Sequence, residues 1–236
     1  MSKRMKAAYK ALPQNDNLTI EQVIDALKAL PAPKFPPVLE IAIKLNIDST
    51  KSDQNIRGAA LMPAGLGKTI KIAVFAQGSY NKDAYDNGAD YVIADQESAK
   101  DFINGPLDVD AIIATPDIMS SLMKWGVSKV IGPKGLMPNA KLDTVTFNIK
   151  KCIEDLRKGK AIFKNDKAGY LHAGIGKLTL ETQALTENVI AFISGVEQAK
   201  PAVIKTNLIH SVWISASMCP AIKLNASQIT RCIGNT

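Results

Sequence analysis

Hydrophobic residues alternate strictly through Pro37-Val-Leu-Glu-Ile-Ala-Ile-Lys-Leu-Asn-Ile47. Leu39, Ile41, Ile43, Leu45 and Ile47 take every second position, with Glu40, Lys44 and Asn46 between them. A period of two sends one set of side chains to a buried face and the other toward water, so this segment predicts a strand in a sheet covered on one side. Ser211-Val-Trp-Ile-Ser-Ala-Ser-Met218 repeats the pattern. It assigns Val212, Ile214, Ala216 and Met218 to the buried face, and Ser211, Trp213, Ser215 and Ser217 to the open one. Strands of this half-apolar kind suit a largely antiparallel sheet. Residues 19–30 and 185–198 carry apolar positions at helical spacing and are expected to cover it.

Between these segments the pattern changes. Apolar runs at 71–76, 91–94 and 109–115 are short and nearly continuous, as in strands buried on both faces. Polar, helix-like stretches at 82–87 and 96–104 separate them, the first ended by Gly88. Pro116 stands where a first-turn proline belongs and opens a helix running to Trp125. Strand–helix repetition predicts a small parallel sheet with crossover helices.

Charge divides the chain at the same places. Of 29 basic and 22 acidic residues, 69–159 holds 11 and 12, a net of −1. The flanks hold 18 and 10, a net of +8. The expected architecture is therefore discontinuous. Residues 1–68 and 160–236 form a basic α+β domain with a largely antiparallel sheet, and 69–159 is an inserted, Rossmann-like three-layer α/β domain. Gly65, Gly67 and Gly159 lie in the two crossings and suggest a hinge. Excess positive charge in one domain favours a polyanionic partner.

Several chemistries are weakly supported. Gly65-Leu-Gly-Lys-Thr69 resembles the end of a phosphate loop, but Met62 stands where the motif needs its first glycine, and a strand follows directly. His172 and His210 lack local partners for metal or triad chemistry and read as packed or exposed strand residues. Cys152, Cys219 and Cys232 lack metal spacing and read as reduced thiols of an intracellular protein. No apolar run is long enough to span a membrane, and no cofactor is expected. The start, Met1-Ser-Lys-Arg-Met-Lys-Ala-Ala-Tyr-Lys10, reads as a basic helix of the mature protein, with a transit peptide as the alternative. An α/β enzyme using the middle domain remains the competing class.

Ile131-Gly-Pro-Lys-Gly-Leu-Met-Pro-Asn139 has its own signature. Gly132 and Gly135 permit positive φ, Pro133 and Pro138 fix theirs, and a stiff loop after a buried strand is expected. Lys134, its only charge, is either a phosphate contact or a solvated side chain. This string resembles that of the family of large-subunit ribosomal protein L one. Ser52-Asp-Gln-Asn-Ile-Arg-Gly58, Ala64-Gly-Leu-Gly-Lys68, Gly88-Ala-Asp-Tyr91, Ala114-Thr-Pro-Asp117, Asn165-Asp-Lys167 and Lys200-Pro201 resemble it too, in the family's order.

The resemblance implies the same two-domain plan and a protein that is not an enzyme. It implies a monomer within the ribosome that binds large-subunit rRNA in the mobile stalk. It further implies assistance in releasing deacylated tRNA from the exit site and repression of its own mRNA. The location would be cytoplasmic on a bacterial ribosome, with an organellar ribosome as the alternative. Candidate rRNA contacts are Lys34, Phe35, Lys164, Asp166, Lys167, Ser211, Ser217, Met218 and Cys219, and Lys134 is a possible tRNA or RNA contact. Phe35 is either buried under a helix or exposed beside Lys34. Lys160 joins Lys164 and Lys167 in a basic turn between strands. Ser217-Met218-Cys219 matches a Thr-Met-Gly step of the family, with Cys219 in place of a glycine. Met218 faces either RNA or the core. Val38 replaces a frequent hydroxyl, and Thr206 a glycine after Lys205.

Overall fold

The computed structural model describes residues 3–13, 18–31, 33–78, 80–105, 108–204, 206–225 and 227–230. Cys232 and Lys205 lie outside them. The elements in chain order are α1 (Lys3–Ala11), α2 (Ile20–Ala29), β1 (Val38–Leu45), β2 (Arg57–Leu61), β3 (Ile72–Phe75), α3 (Tyr80–Asp86), β4 (Tyr91–Ile93), α4 (Gln96–Asn104), β5 (Ala111–Ala114), α5 (Met119–Lys124), α6 (Val127–Ile131), α7 (Ile149–Arg157), β6 (Lys160–Lys164), β7 (Tyr170–Lys177), α8 (Thr182–Gln198), β8 (Ile209–Ala216) and β9 (Ile222–Lys223). They form two compact units, Met1–Lys68 with Lys158–Thr236, and Thr69–Arg157.

The split unit is an α+β fold. An antiparallel sheet runs β7-β1-β8-β9. Its inner face presents Leu39, Ile41, Ile43 and Leu45 of β1 with Leu171, Val212 and Ile214, all buried. Ile47 lies beyond the end of β1 and is half-buried. Helix α2 supplies Val23, Ile24 and Leu27 to this core, and α8 supplies Leu185, Val189, Phe192 and Val196. Thr19 caps α2 by accepting from the Gln22 amide while Gln22 Oε1 accepts from the Thr19 amide, a reciprocal capping box. Strands β2 and β6 form a separate antiparallel ribbon. Phe163 of β6 meets Phe192 of α8 edge to face, with centroids 5.4 Å apart.

The second unit is a three-layer α/β fold. Its parallel sheet runs β4-β3-β5. Ile72, Val74 and Ile113 pack on one face with Ala84 of α3 and Ile153 and Leu156 of α7. Ala73, Phe75 and Ile112 pack on the other with Ala99 of α4, Leu122 of α5 and Val127 and Ile131 of α6. Pro116 opens a single 3-10 turn, Pro116–Ile118, and α5 follows it.

Three local expectations are overturned. The stiff loop at 131–139 follows a helix, α6, rather than a strand, and Gly132 is right-handed at φ −59°; only Gly135 takes a positive φ, 74°. Leu136 and Met137 anchor that loop on the core of its own unit, while Lys134 is exposed. Met218 is not on the buried face, because β8 ends at Ala216. Met218 adopts φ 60° and is 63% exposed. Lys160 is not in the basic turn; it starts β6 and pairs with Leu61, at the far end of that strand from Lys164.

Candidate nucleic-acid interface

The outer face of the four-stranded sheet carries polar and aromatic side chains because the inner face has taken the apolar ones. Register sets its rows. Tyr170, Lys44 and Ser211 are cross-strand neighbours, as are His172, Ala42 and Trp213, and Gly174, Glu40 and Ser215. Lys44 Nζ lies 4.3 Å from the Tyr170 ring centroid, over its face. Tyr170 and His172 stack at 6.1 Å with their planes 23° apart. His172 is exposed, and Tyr170 and Trp213 are half-buried. Ser211 is not open to solvent as the alternation implied: it is 5% exposed, and its hydroxyl has no hydrogen-bond partner among the described residues.

One group of candidate residues gathers at the Val38 end of β1. The Ser217 amide donates to the Val38 carbonyl at 2.9 Å, and the Val38 amide donates to Ser217 Oγ at 3.2 Å. Ser217 Oγ donates to Glu40 Oε1 at 2.9 Å. The Cys219 amide closes the turn on the Ala216 carbonyl at 2.8 Å. Phe35, three residues before Val38, is 47% exposed beside exposed Lys34, so it is not held under a helix. A groove runs here along Glu40, Ala42, His172, Gly174, Ser215 and Ser217.

Cys219 does not need a glycine's freedom. Positive φ falls on Met218 instead, and the cysteine side chain packs partly buried against the core of the split unit. Cys219→Gly is therefore expected to lower stability by about 1 kcal/mol, through lost packing and added chain entropy. A thermal melt unchanged by the substitution would contradict this packing.

The second group gathers at the other end of β1. The turn between β6 and β7 is built by its own side chains. Asp166 Oδ1 accepts from the amides of Ala168 at 2.9 Å and Tyr170 at 2.7 Å. Buried Asn165 accepts from the Ile56 amide at 2.8 Å and donates to Asn55 Oδ1 at 3.0 Å. Lys44 Nζ donates to the Ala168 carbonyl, and Ser49 Oγ to that of Lys167. Nearby, the Asp48 carboxyl is held below the usual carboxylate range by hydrogen bonds from the Thr50 hydroxyl and amide. Ser49, Asn55, Arg57, Lys164, Asp166 and Lys167 line a second groove. Residue rise along an eight-residue strand separates the two groups by about 24 Å. The candidate contacts thus form two clusters bracketing an aromatic sheet face rather than a single patch.

The crossings near the unit boundary are pinned. Gly65, Gly67 and Gly159 have φ of 69°, 67° and 100°. A Cβ on Gly159 would lie 3.1 Å from Gly65 Cα, so the two backbones touch and leave no room for a side chain. Asn188 of α8, fully buried, accepts from the Ala64 amide at 3.0 Å. It donates to the carbonyls of Gly65 at 2.9 Å and Ile175 at 3.0 Å. The Met62 amide donates to the Gly159 carbonyl at 3.2 Å, and the Lys177 amide to that of Leu66 at 3.2 Å.

Glu40, Lys44, Arg57, Tyr170 and Asn188 were not singled out from the sequence. The first four sit on strands whose polar positions look like any solvated face until cross-strand register joins them. Asn188, a lone polar residue on the apolar stripe of a helix, did carry a signal: an amide there demands buried partners.

Hydroxyls, cationic donors and partly exposed rings are groups of the kind that contact phosphate, ribose and bases. Among the described residues no group of three His, Cys, Asp or Glu could hold a metal, and no helix is long and apolar enough to cross a membrane. The model of the ribosomal protein L1p/L10e family matches residues 22–220. The chain is 43% identical over 228 residues to the large ribosomal subunit protein uL1 of Protochlamydia amoebophila, covering 96% of this chain and 95% of that protein. It is 40% identical over 227 residues to the proteins of that name from Chlamydia caviae and Chlamydia abortus, each covering 96% of this chain and 97% of the relative. With the family's model spanning most of its length and both units folded as described, the chain belongs to the ribosomal protein L1p/L10e family.

Proposed function

We propose that the split unit binds a folded element of large-subunit rRNA across the outer face of its antiparallel sheet. Family membership makes the chain a structural ribosomal protein and not an enzyme. The observation that carries the RNA reading is the placement of two donor clusters on either side of Tyr170, His172 and Trp213. It is supported by charge, since the unit of Thr69–Arg157 has no excess of basic residues and the split unit holds all of it. Recognition of this kind works through shape, phosphate and 2′-OH groups more than base edges. The test is salt-dependent binding of the full chain to large-subunit rRNA fragments, with footprinting. Nanomolar binding that weakens steeply with salt is expected. Binding unaffected by salt, or footprints moved by Lys134→Met and not by changes on the sheet face, would overturn it.

The finer roles extend the same reading. On a bacterial ribosome in the cytoplasm, the protein builds the mobile stalk. The unit of Thr69–Arg157 reorients to help release deacylated tRNA from the exit site, with Lys134 as a candidate contact. The free protein represses its own mRNA through a mimic of the rRNA site. Because Ala64, Gly65 and Leu66 are pinned within the split unit, reorientation falls to the backbone from Gly67 onward and before Gly159. Gly67→Ala strains a left-handed position by about 1–2 kcal/mol. It is expected to slow tRNA release on reconstituted ribosomes while rRNA affinity holds. Release at the wild-type rate from a folded variant would count against the hinge.

A further inference from the structure

Helix α1 contributes one residue that reaches both segments of the Val38-end cluster. Arg4 Nη2 donates to the Met218 carbonyl at 2.9 Å, and Nη1 donates to the Pro31 carbonyl at 3.2 Å. One guanidinium therefore ties the segment leading into Lys34 and Phe35 to the turn after β8. These segments are far apart in sequence, and the β1–β8 ladder, which begins at Leu39 and Ala216, stops short of both. Beyond the ladder they are joined by the Val38–Ser217 bonds and by Arg4.

The turn needs such a tie. Met218 is a non-glycine residue at φ 60°, a conformation that side chains disfavour. Its exposed side chain finds no core to hold it there. A planar guanidinium can bond two carbonyls at once from a fixed fork, which an ammonium cannot do with the same geometry.

We propose that Arg4 is a positioning residue for the RNA interface. It holds Met218 and the Lys34–Phe35 segment in the arrangement that RNA meets, without itself neutralising a phosphate. The proposal rests on the RNA reading above. α1 also exposes Lys3, Lys6 and Lys10, so the competing explanation for any effect of this helix is direct phosphate contact.

Two variants of the full chain separate these. Arg4→Met keeps the stem and removes the donors; Arg4→Lys keeps the charge and loses the fork. Positioning predicts that both lose roughly tenfold in affinity for the rRNA fragment, the scale of a charged hydrogen bond. The slope of log affinity against log salt should stay at the wild-type value. In the free protein, amide exchange at Ser217 and Cys219 should speed up in both variants, with the rest of the sheet unchanged. If only Arg4→Met weakens binding, and its slope falls by about 0.7–0.9, Arg4 is a phosphate contact and the proposal fails. Wild-type exchange at Ser217 and Cys219 in both variants also overturns it. If the wild-type chain binds no rRNA, the functional reading falls, while the exchange measurement still decides whether Arg4 holds the turn. A variant that loses protection throughout the sheet would place Arg4 in global stability and end the positioning claim.

Discussion

Asn188→Leu is expected to cost about 3 kcal/mol or more of stability in the split unit. Leucine keeps the branched shape and the number of heavy atoms, so the loss comes mainly from hydrogen bonds, with added strain because methyl groups are bulkier than the amide oxygen and nitrogen. The Ile175 carbonyl would be buried without its partner, at about 1–3 kcal/mol, and the part-buried Ala64 amide and Gly65 carbonyl would lose theirs at a smaller cost each. Ile175 is vulnerable because the β1–β7 register shifts between Leu39 and Glu40. Their partners are Gly176 and Gly174, so Ile175 is left out of the ladder. The side chain of Asn188 supplies the bond that the strand lacks. Trp213 lies in the split unit and Trp125 in the other, so urea unfolding followed by fluorescence in a Trp125→Phe background reads the split unit alone. An unfolding free energy within about 0.5 kcal/mol of wild type would show that water or a shifted backbone replaces Asn188.

The largest effect on binding is expected from the double variant Lys164→Met, Lys167→Met. Both side chains are exposed at the second groove. The turn that carries them is built by Asn165, Asp166 and Ser49, which the variant keeps. The fold should therefore melt as wild type. If each lysine neutralises one phosphate, the salt slope falls by about 1.4–1.8 and affinity at low salt by on the order of a hundredfold. Lys134→Met, in the other unit, should leave both unchanged. An unaltered slope in the double variant would remove this cluster from the interface and leave the Val38 end to bind alone.

The two periodicities specify much of the plan. Alternation in β1 placed Leu39, Ile41, Ile43 and Leu45 on the core face, where the structure has them. Continuous apolar runs marked β3 and β5 as strands covered on both sides. Errors came where a pattern was extended past its physical end. Met218 continues the alternation of β8 in sequence, but the chain turns at Ser217, and a period of two has no meaning in a turn. Alternation puts Ser211 on the outer face but does not say what covers it there, and the residue is buried. Lys160 and Lys164 are close in sequence, yet a five-residue strand holds them at opposite ends.

Sequence by itself determined the family, the split of charge between the units and the secondary-structure periods, and it named the candidate contacts. Each is local, written in residue types and short spacings. Tertiary structure alone decided that the contacts form two clusters on either side of an aromatic face, because that depends on which strands pair and in what register. It alone brought Arg4 to Met218 and Asn188 to Gly65. Those bonds join carbonyls and side chains more than a hundred residues apart, and backbone carbonyls, alike at every position, leave no mark in a sequence.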